Sequence, residues 1–272
     1  HAMTTIAPAG FSTADASIGH FDSAAIDWII TFGMIASALP FVLYLQAFRG
    51  QPLALLRDTQ VRWFFSIVGA VIASLVIWQT FANGEPWYDA LRYVSFNVVS
   101  VMTGTGYATA DYDQWGTFAL VMFFVVMFIG GCAGSTTCGI KIFRFQVLYA
   151  MAAAQMKTLL QPHGVFIPYY NRRPISETVG LSVLTFFFTF VFCFGVLAMG
   201  LGLAGLDFLT AVSGAATAIA NVGPGLGPII GPSGNFATLP DSAKWMLSAG
   251  MLIGRLEVLT VLILLTPAFW KE

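Results

Sequence analysis

Four apolar stretches, at 25–47, 61–82, 177–201 and 242–268, are each long enough to cross a bilayer as a helix, which takes about 20 residues. A fifth, 117–155, is too long for one crossing and is interrupted by the glycine-rich segment 130–139. Only 9% of the residues are charged, against roughly 25% in an ordinary soluble domain. A surface so poor in charge must face lipid or protein, and the expected class is an all-α integral membrane protein. Glycine-rich backbone at membrane depth is tolerated only where it is buried in protein or lines a cavity, so 117–155 reads as a broken helix.

The net charge of −1 leaves no electrostatic footprint for nucleic acid. Cys132, Cys138 and Cys193 lie in apolar sequence without CxxC spacing and read as inert thiols. His20 and His163 are isolated loop residues, and no constellation suggests an enzyme.

Basic residues set the orientation. Arg49, Arg57 and Arg62 fall between the first two spans; Lys141, Arg144, Lys157, Arg172 and Arg173 lie further along on the same side, as does Lys271 near the end. The other side carries Asp15, Asp22, Glu85, Asp111, Asp113 and Asp241, with only Arg92 and Lys244 against them. This places the basic loops and the C-terminus in the cytoplasm. The loops at 48–62 and 156–173 are surfaces for a cytosolic partner or for lipid headgroups.

Two outer segments remain, 86–116 and 205–241. Each starts with a helical pattern too brief to cross, at 87–102 and 206–220, and then breaks into glycine: Thr105-Gly106-Tyr107 in one, Val222-Gly223-Pro224 in the other. A half-length helix with a polar, glycine-bearing return is a re-entrant pore loop. The start of the chain aligns as a third copy, with Ala9-Gly10-Phe11 in register and 1–3 as the end of a pore helix begun earlier. A bare potassium ion needs several oxygens in place of its water shell, and backbone carbonyls turned toward one axis supply them. Glycine accepts the positive φ this demands. Tight turns alone would also explain any single loop; a common register in three favours the filter.

The segments 4–13, 101–109, 130–144 and 218–225 resemble the Trk/Ktr/HKT superfamily of potassium transporters, in particular the bacterial Trk-type membrane subunit. The resemblance implies a pseudo-fourfold, potassium-channel-like pore of span–pore loop–span repeats. The end of repeat two would be 1–47, repeat three 48–155 and repeat four 156–272. Repeat one would be absent, so this chain alone would not close the pore. The filter would draw on Ala9, Gly10, Thr105, Gly106, Val222 and Gly223, with potassium bound by backbone carbonyls. Pro8 and Ala9 depart from the threonine and glycine usual in the family, and proline lacks a donor and fixes φ.

The resemblance also makes 130–139 an intramembrane gate, with Gly134, Ser135, Thr136 and Thr137 in the loop and Cys138 where glycine is expected. A kink at a helix crossing is the alternative. Arg255 sits near the middle of the last apolar stretch, where a charge costs about 2.5–3.5 kcal/mol on insertion scales and needs a partner. Glu257, two residues on, does not share its helix face. The resemblance implies contact between Arg255 and the gate, as a barrier to cations. Lys141 is either a second gating charge or an interface anchor. The expected function is potassium uptake across the bacterial cytoplasmic membrane by a homodimer seated on a cytosolic nucleotide-binding ring, with membrane lipids around it. A potassium-binding subunit of an ATP-driven pump is the alternative.

Overall fold

The structure, a computed structural model, describes residues 1–171, 173–256, 258–264 and 266–270. Arg172, Glu257 and Lys271, three of the charges considered above, lie outside them.

Among the described residues the fold is helical apart from one small hairpin. It begins with a short α1 (Ala2–Ile6), then α2 (Ala24–Ala38), α3 (Phe41–Phe48), α4 (Ala54–Arg57) and a long α5 (Thr59–Ala82). There follow α6 (Trp87–Thr103), α7 (Thr117–Met127) and α8 (Ile142–Leu160). A small hairpin pairs β1 (Tyr169–Tyr170) with β2 (Arg173–Pro174). The chain continues with α9 (Glu177–Leu203), α10 (Phe208–Ala220), α11 (Asp241–Arg255) and α12 (Val258–Leu264).

The two long helices are the clearest spans. Helix α5 has 24 residues and α9 has 27, and an 18-residue stretch within each reaches a mean hydropathy of 1.9 and 2.4. At 1.5 Å per residue both exceed a hydrocarbon core of about 30 Å. Each starts where a side chain satisfies an orphan N–H: Asp58 accepts from Gln60 and Val61, and Ser176 from Val179. Their outer faces expose large apolar residues such as Phe81, Leu181 and Phe188, as lipid-facing helices do.

Helices α6 and α10 are short and buried. Every residue of α6 from Val94 to Thr103 is inaccessible, as is every residue of α10 from Ser213 to Ala220. Helix α6 packs against α2 and α5, and α10 against α9 and α11. Each re-entrant helix is thus walled in by spans, which fixes where its C-terminal end points. The two basic residues expected on the outer side are neutralised: Arg92 lies 2.7 Å from Asp27 and 3.5 Å from Asp22, and Lys244 lies 3.3 Å from Asp241.

Two expected spans are not continuous rods. The stretch 25–47 bends by 95° between α2 and α3. Pro40 causes it: a proline lacks the N–H a helix needs and pushes the residue before it into an extended conformation, which Leu39 adopts at φ −91° and ψ 154°. The stretch 242–268 stops at Arg255 and resumes at Val258. The stop follows Gly254, a weak helix former so close to Ile219 that an added Cβ would lie 1.9 Å from its carbonyl oxygen. The third break, between α7 and α8, is where the glycine run placed it.

Candidate functional site: three glycine loops above a docked glycine-rich loop

The three glycine-bearing loops come together in sequence order. A Cβ added to Gly10 would meet the Thr105 carbonyl oxygen at 2.1 Å, and one on Gly106 would meet that of Val222 at 2.5 Å. One on Gly223 would lie 3.2 Å from the Gly106 Cα. All three have positive φ, at +63°, +79° and +118°. Backbone lies on backbone with no room for a side chain, so glycine is required twice over here.

Backbone hydrogen bonding shows the loops to be equivalent. The residue before each glycine donates its N–H to a carbonyl five residues back: Ala9 to Thr4 at 3.1 Å, Thr105 to Ser100 at 3.0 Å, Val222 to Thr217 at 3.0 Å. This is the long bond of a Schellman helix end. The left-handed residue that goes with it is Gly104 in one loop and Asn221 in another, at φ +72° and +54°. Pro8 holds that place in the first loop and cannot be left-handed. The first loop therefore lacks the companion N–H bond but keeps the long one.

Side chains hold the returns. Ser100 donates to the Tyr107 carbonyl at 2.6 Å, and the Tyr107 hydroxyl donates to the Phe11 carbonyl at 3.3 Å. The Thr217 hydroxyl accepts from Gly223 N–H at 2.9 Å. Away from the glycine-rich segment 130–139, Asp113 accepts from Gly227 N–H at 2.9 Å, clamping the return after α6 to that after α10. Gly231 passes so close to this carboxylate that a Cβ there would lie 2.0 Å from it. Burial is the main reason the Asp113 carboxyl is pushed up to about 6; the Gly227 bond opposes this and the charge of Asp111 adds to it.

Below the filter lies the loop between α7 and α8. Its base is closed by Gly130 N–H to Ile140 and Ile140 N–H to Phe128. Its tip docks on the α2–α3 bend, where Cys132 N–H reaches the Ala38 carbonyl, Thr136 N–H that of Ser37, and Phe41 N–H returns to Gly134. The bend frees those carbonyls, and the sequence reading missed this contact although Pro40 signalled the break. The Thr136 hydroxyl also donates to the Ile6 carbonyl at 2.9 Å, joining the gate to the first pore helix.

Two cations close on this loop. The Lys141 ammonium folds back to donate to the Thr137 hydroxyl at 3.0 Å and to the Thr137 carbonyl. It does not reach outward as an interface anchor would. Arg255 stands at the end of α11, rather than mid-span, and its guanidinium meets the Thr136 carbonyl at 3.4 Å and the Cys138 sulfur. Cys138 in turn lies under Gly104 of the filter. A cavity of about 710 Å3 runs from the three loops down to Cys138 and Arg255. A second, of about 320 Å3, lies beyond them and is bounded by Ser135, Lys141 and Arg144, whose guanidinium rests 3.6 Å from the Phe186 ring centre. Cys138 and Arg255 border both. The structure brings the expected filter residues together in one place and the expected gate residues in another, directly beneath.

Residues 1–271 match the family described as TrkH, cation transport protein. A protein of Halomonas elongata named Trk system potassium uptake protein TrkI is 51% identical over 273 residues, which is 100% of this chain and 55% of that protein. The Trk system potassium uptake protein TrkH of Escherichia coli strain K12 is 36% identical over 278 residues, covering 100% of this chain and 56% of its own length. The crystal structure of the potassium transporter TrkH from Vibrio parahaemolyticus superposes with a TM-score of 0.92 at 36% identity, over 98% of this chain and 57% of that one. The chain spans about half the length of the curated relatives it matches.

Proposed function

The chain belongs to the TrkH family of cation transport proteins, and from that premise we propose that it forms part of a gated potassium uptake pathway. It is an integral membrane protein, and we place it in the bacterial cytoplasmic membrane with its C-terminus inside. The pathway runs between the three loops, into the larger cavity and past the gate. Carbonyls of Ala9, Gly10, Thr105, Gly106, Val222 and Gly223 replace the water shell of a potassium ion. The C-terminal ends of α6 and α10 carry partial negative charge and favour a cation in the cavity below. Membrane potential drives the ion inward.

The observation that carries this reading is the threefold coincidence at the loops: positive-φ glycine, the same helix-ending bond one residue earlier, and direct backbone contact with a neighbouring loop. Tight turns need no mutual contact.

Arg255 and Lys141 form the barrier. Each is held by oxygens or sulfur of the loop containing Gly134, Ser135, Thr136 and Thr137, so a cation leaving the upper cavity meets positive charge. Conduction requires the loop to leave the α2–α3 bend and draw these charges aside. In keeping with the repeats, 1–47 ends repeat two, 48–155 is repeat three and 156–272 is repeat four. The protein acts as a homodimer in contact with lipid, with a cytosolic nucleotide-binding ring on its basic loops, and not as an enzyme. Relatives named for Trk potassium uptake weigh against the pump-subunit alternative.

The test is potassium flux into liposomes by the full-length protein that contains these residues, with and without Gly106→Ser. We expect potassium flux to fall at least about tenfold, since a clash worth 1.4 kcal/mol already gives that factor. Unchanged flux and selectivity would remove Gly106 from the filter.

A further inference from the structure

The residue that ends each pore helix in the left-handed conformation is glycine at 104 and asparagine at 221. Glycine is the cheapest residue for that conformation and asparagine the usual substitute. Backbone geometry alone therefore gives no reason for a side chain at 221, and the one present is engaged. The Asn221 amide donates to the Met251 carbonyl at 3.1 Å, across to α11. Met251 lies one helical turn before Arg255.

The surroundings make this contact consequential. Helix α11 runs its last turn against the end of α10 with almost nothing between them. A Cβ on Gly254 would lie 1.9 Å from the Ile219 carbonyl and 2.7 Å from the Asn221 amide nitrogen, and one on Gly250 would lie 3.4 Å from the Ala218 Cβ. The helix then stops at Arg255. Arg255 is the exposed last residue of α11, so its placement depends in part on how the last turn is held from the side. Arg255 itself touches Thr136 and Cys138 of the gate. Asn221 is also the residue immediately before Val222 and Gly223 of the fourth-repeat loop.

We infer that Asn221 is a positioning residue that ties the fourth filter loop to the arginine barrier, holding Arg255 on the gate by its amide bond to Met251. The inference rests on the barrier reading of Arg255 for its functional consequence but not for its geometry. It makes the gate sensitive to the filter: a shift of the 221–223 backbone moves the amide, the last turn of α11 and the guanidinium together. In repeat three the corresponding Gly104 has no side chain to do this, and instead lies over Cys138.

The test is Asn221→Gly, which keeps the left-handed helix end, as Gly104 demonstrates, and deletes only the tie. Two quantities are read on the full-length protein in liposomes: basal potassium flux, and the rate at which a membrane-impermeant methanethiosulfonate modifies Cys138, with Cys138→Ser as the blank. We expect Asn221→Gly to raise both by about fivefold, the factor that one hydrogen bond of about 1 kcal/mol supplies. Asn221→Asp keeps the size and loses the donor, and should move both the same way. Combined with Arg255→Gln, Asn221→Gly should add nothing further. Cys138 modification at the wild-type rate in Asn221→Gly would overturn the inference whatever the flux does. Faster modification in Asn221→Gly with basal flux unmoved in Arg255→Gln would keep the positioning role and discard the barrier reading instead.

Discussion

The proposed filter and the proposed gate, one above the other, differ in how much of each is held by exchangeable side-chain bonds. The filter loops are backbone packed on backbone, carried by two helix ends that are wholly buried. The gate loop is partly exposed at its tip and adds side-chain bonds, from three hydroxyls, an ammonium and a guanidinium that meets a thiol, to the backbone bonds across its base and to the proline bend. Close-packed backbone has no alternative arrangement close in energy, whereas a hydrogen-bonded loop can exchange its partners for water at about 1 kcal/mol each. The difference fits the proposed reading, in which the first recognises the ion and the second moves.

That contrast gives substitutions of opposite sign. Gly106→Ser should abolish selective flux, and it carries the largest effect because a positive φ and a neighbouring carbonyl both exclude a side chain. Arg255→Gln should instead increase basal flux, by at least about tenfold: a unit charge some 4 Å from the path opposes a cation by roughly 4 kcal/mol at an effective dielectric of about 20. Basal flux by the full-length protein without activating stimulus measures it. If both substitutions reduced flux, the division between a rigid filter and a movable gate would fail. Asn221→Gly, which loosens the connection between them, ranks below these.

The smallest effect belongs to the outer clamp. Burial pushes the Asp113 carboxyl up to about 6, above the usual 3.8 of the unfolded chain. A raised acid favours folding most where it is protonated in both states, so this contribution is present below about pH 4 and is lost as pH rises through about 6. Thermal unfolding of the detergent-solubilised protein should show it. Between those limits the wild type should lose a degree or two of Tm relative to Asp113→Asn, which keeps an oxygen for Gly227 N–H and does not titrate. Parallel pH profiles would place the Asp113 carboxylate in solvent.

The comparison of filter and gate also explains what could be read from the residues beforehand. Positions needing a special backbone carry their requirement in one letter, so Gly10, Gly106 and Gly223 could be found from register alone, and so could the glycine run of the gate. Helices α5 and α9 were visible because their apolar runs are uninterrupted. Hydropathy measures composition, however, and not continuity. The halves on either side of Pro40, and of the stop after Arg255, are all apolar, and each pair read as one span. The proline was a signal available in the sequence; the second break had only Gly254. Contacts that join distant parts, such as Asp113 to Gly227 or Asn221 to Met251, leave no local trace, because neither partner's own neighbourhood demands the other.

The account stands on peptide oxygens of the three loops facing a shared, dehydrated cation. Crystals of the full-length protein soaked in rubidium, with anomalous diffraction recorded at the rubidium edge, test this directly. The expected result is a peak enclosed by Gly10, Gly106 and Gly223, within coordinating distance of the carbonyls of Ala9, Thr105 and Val222. Rubidium found elsewhere, with those carbonyls turned away from any common centre, would contradict it.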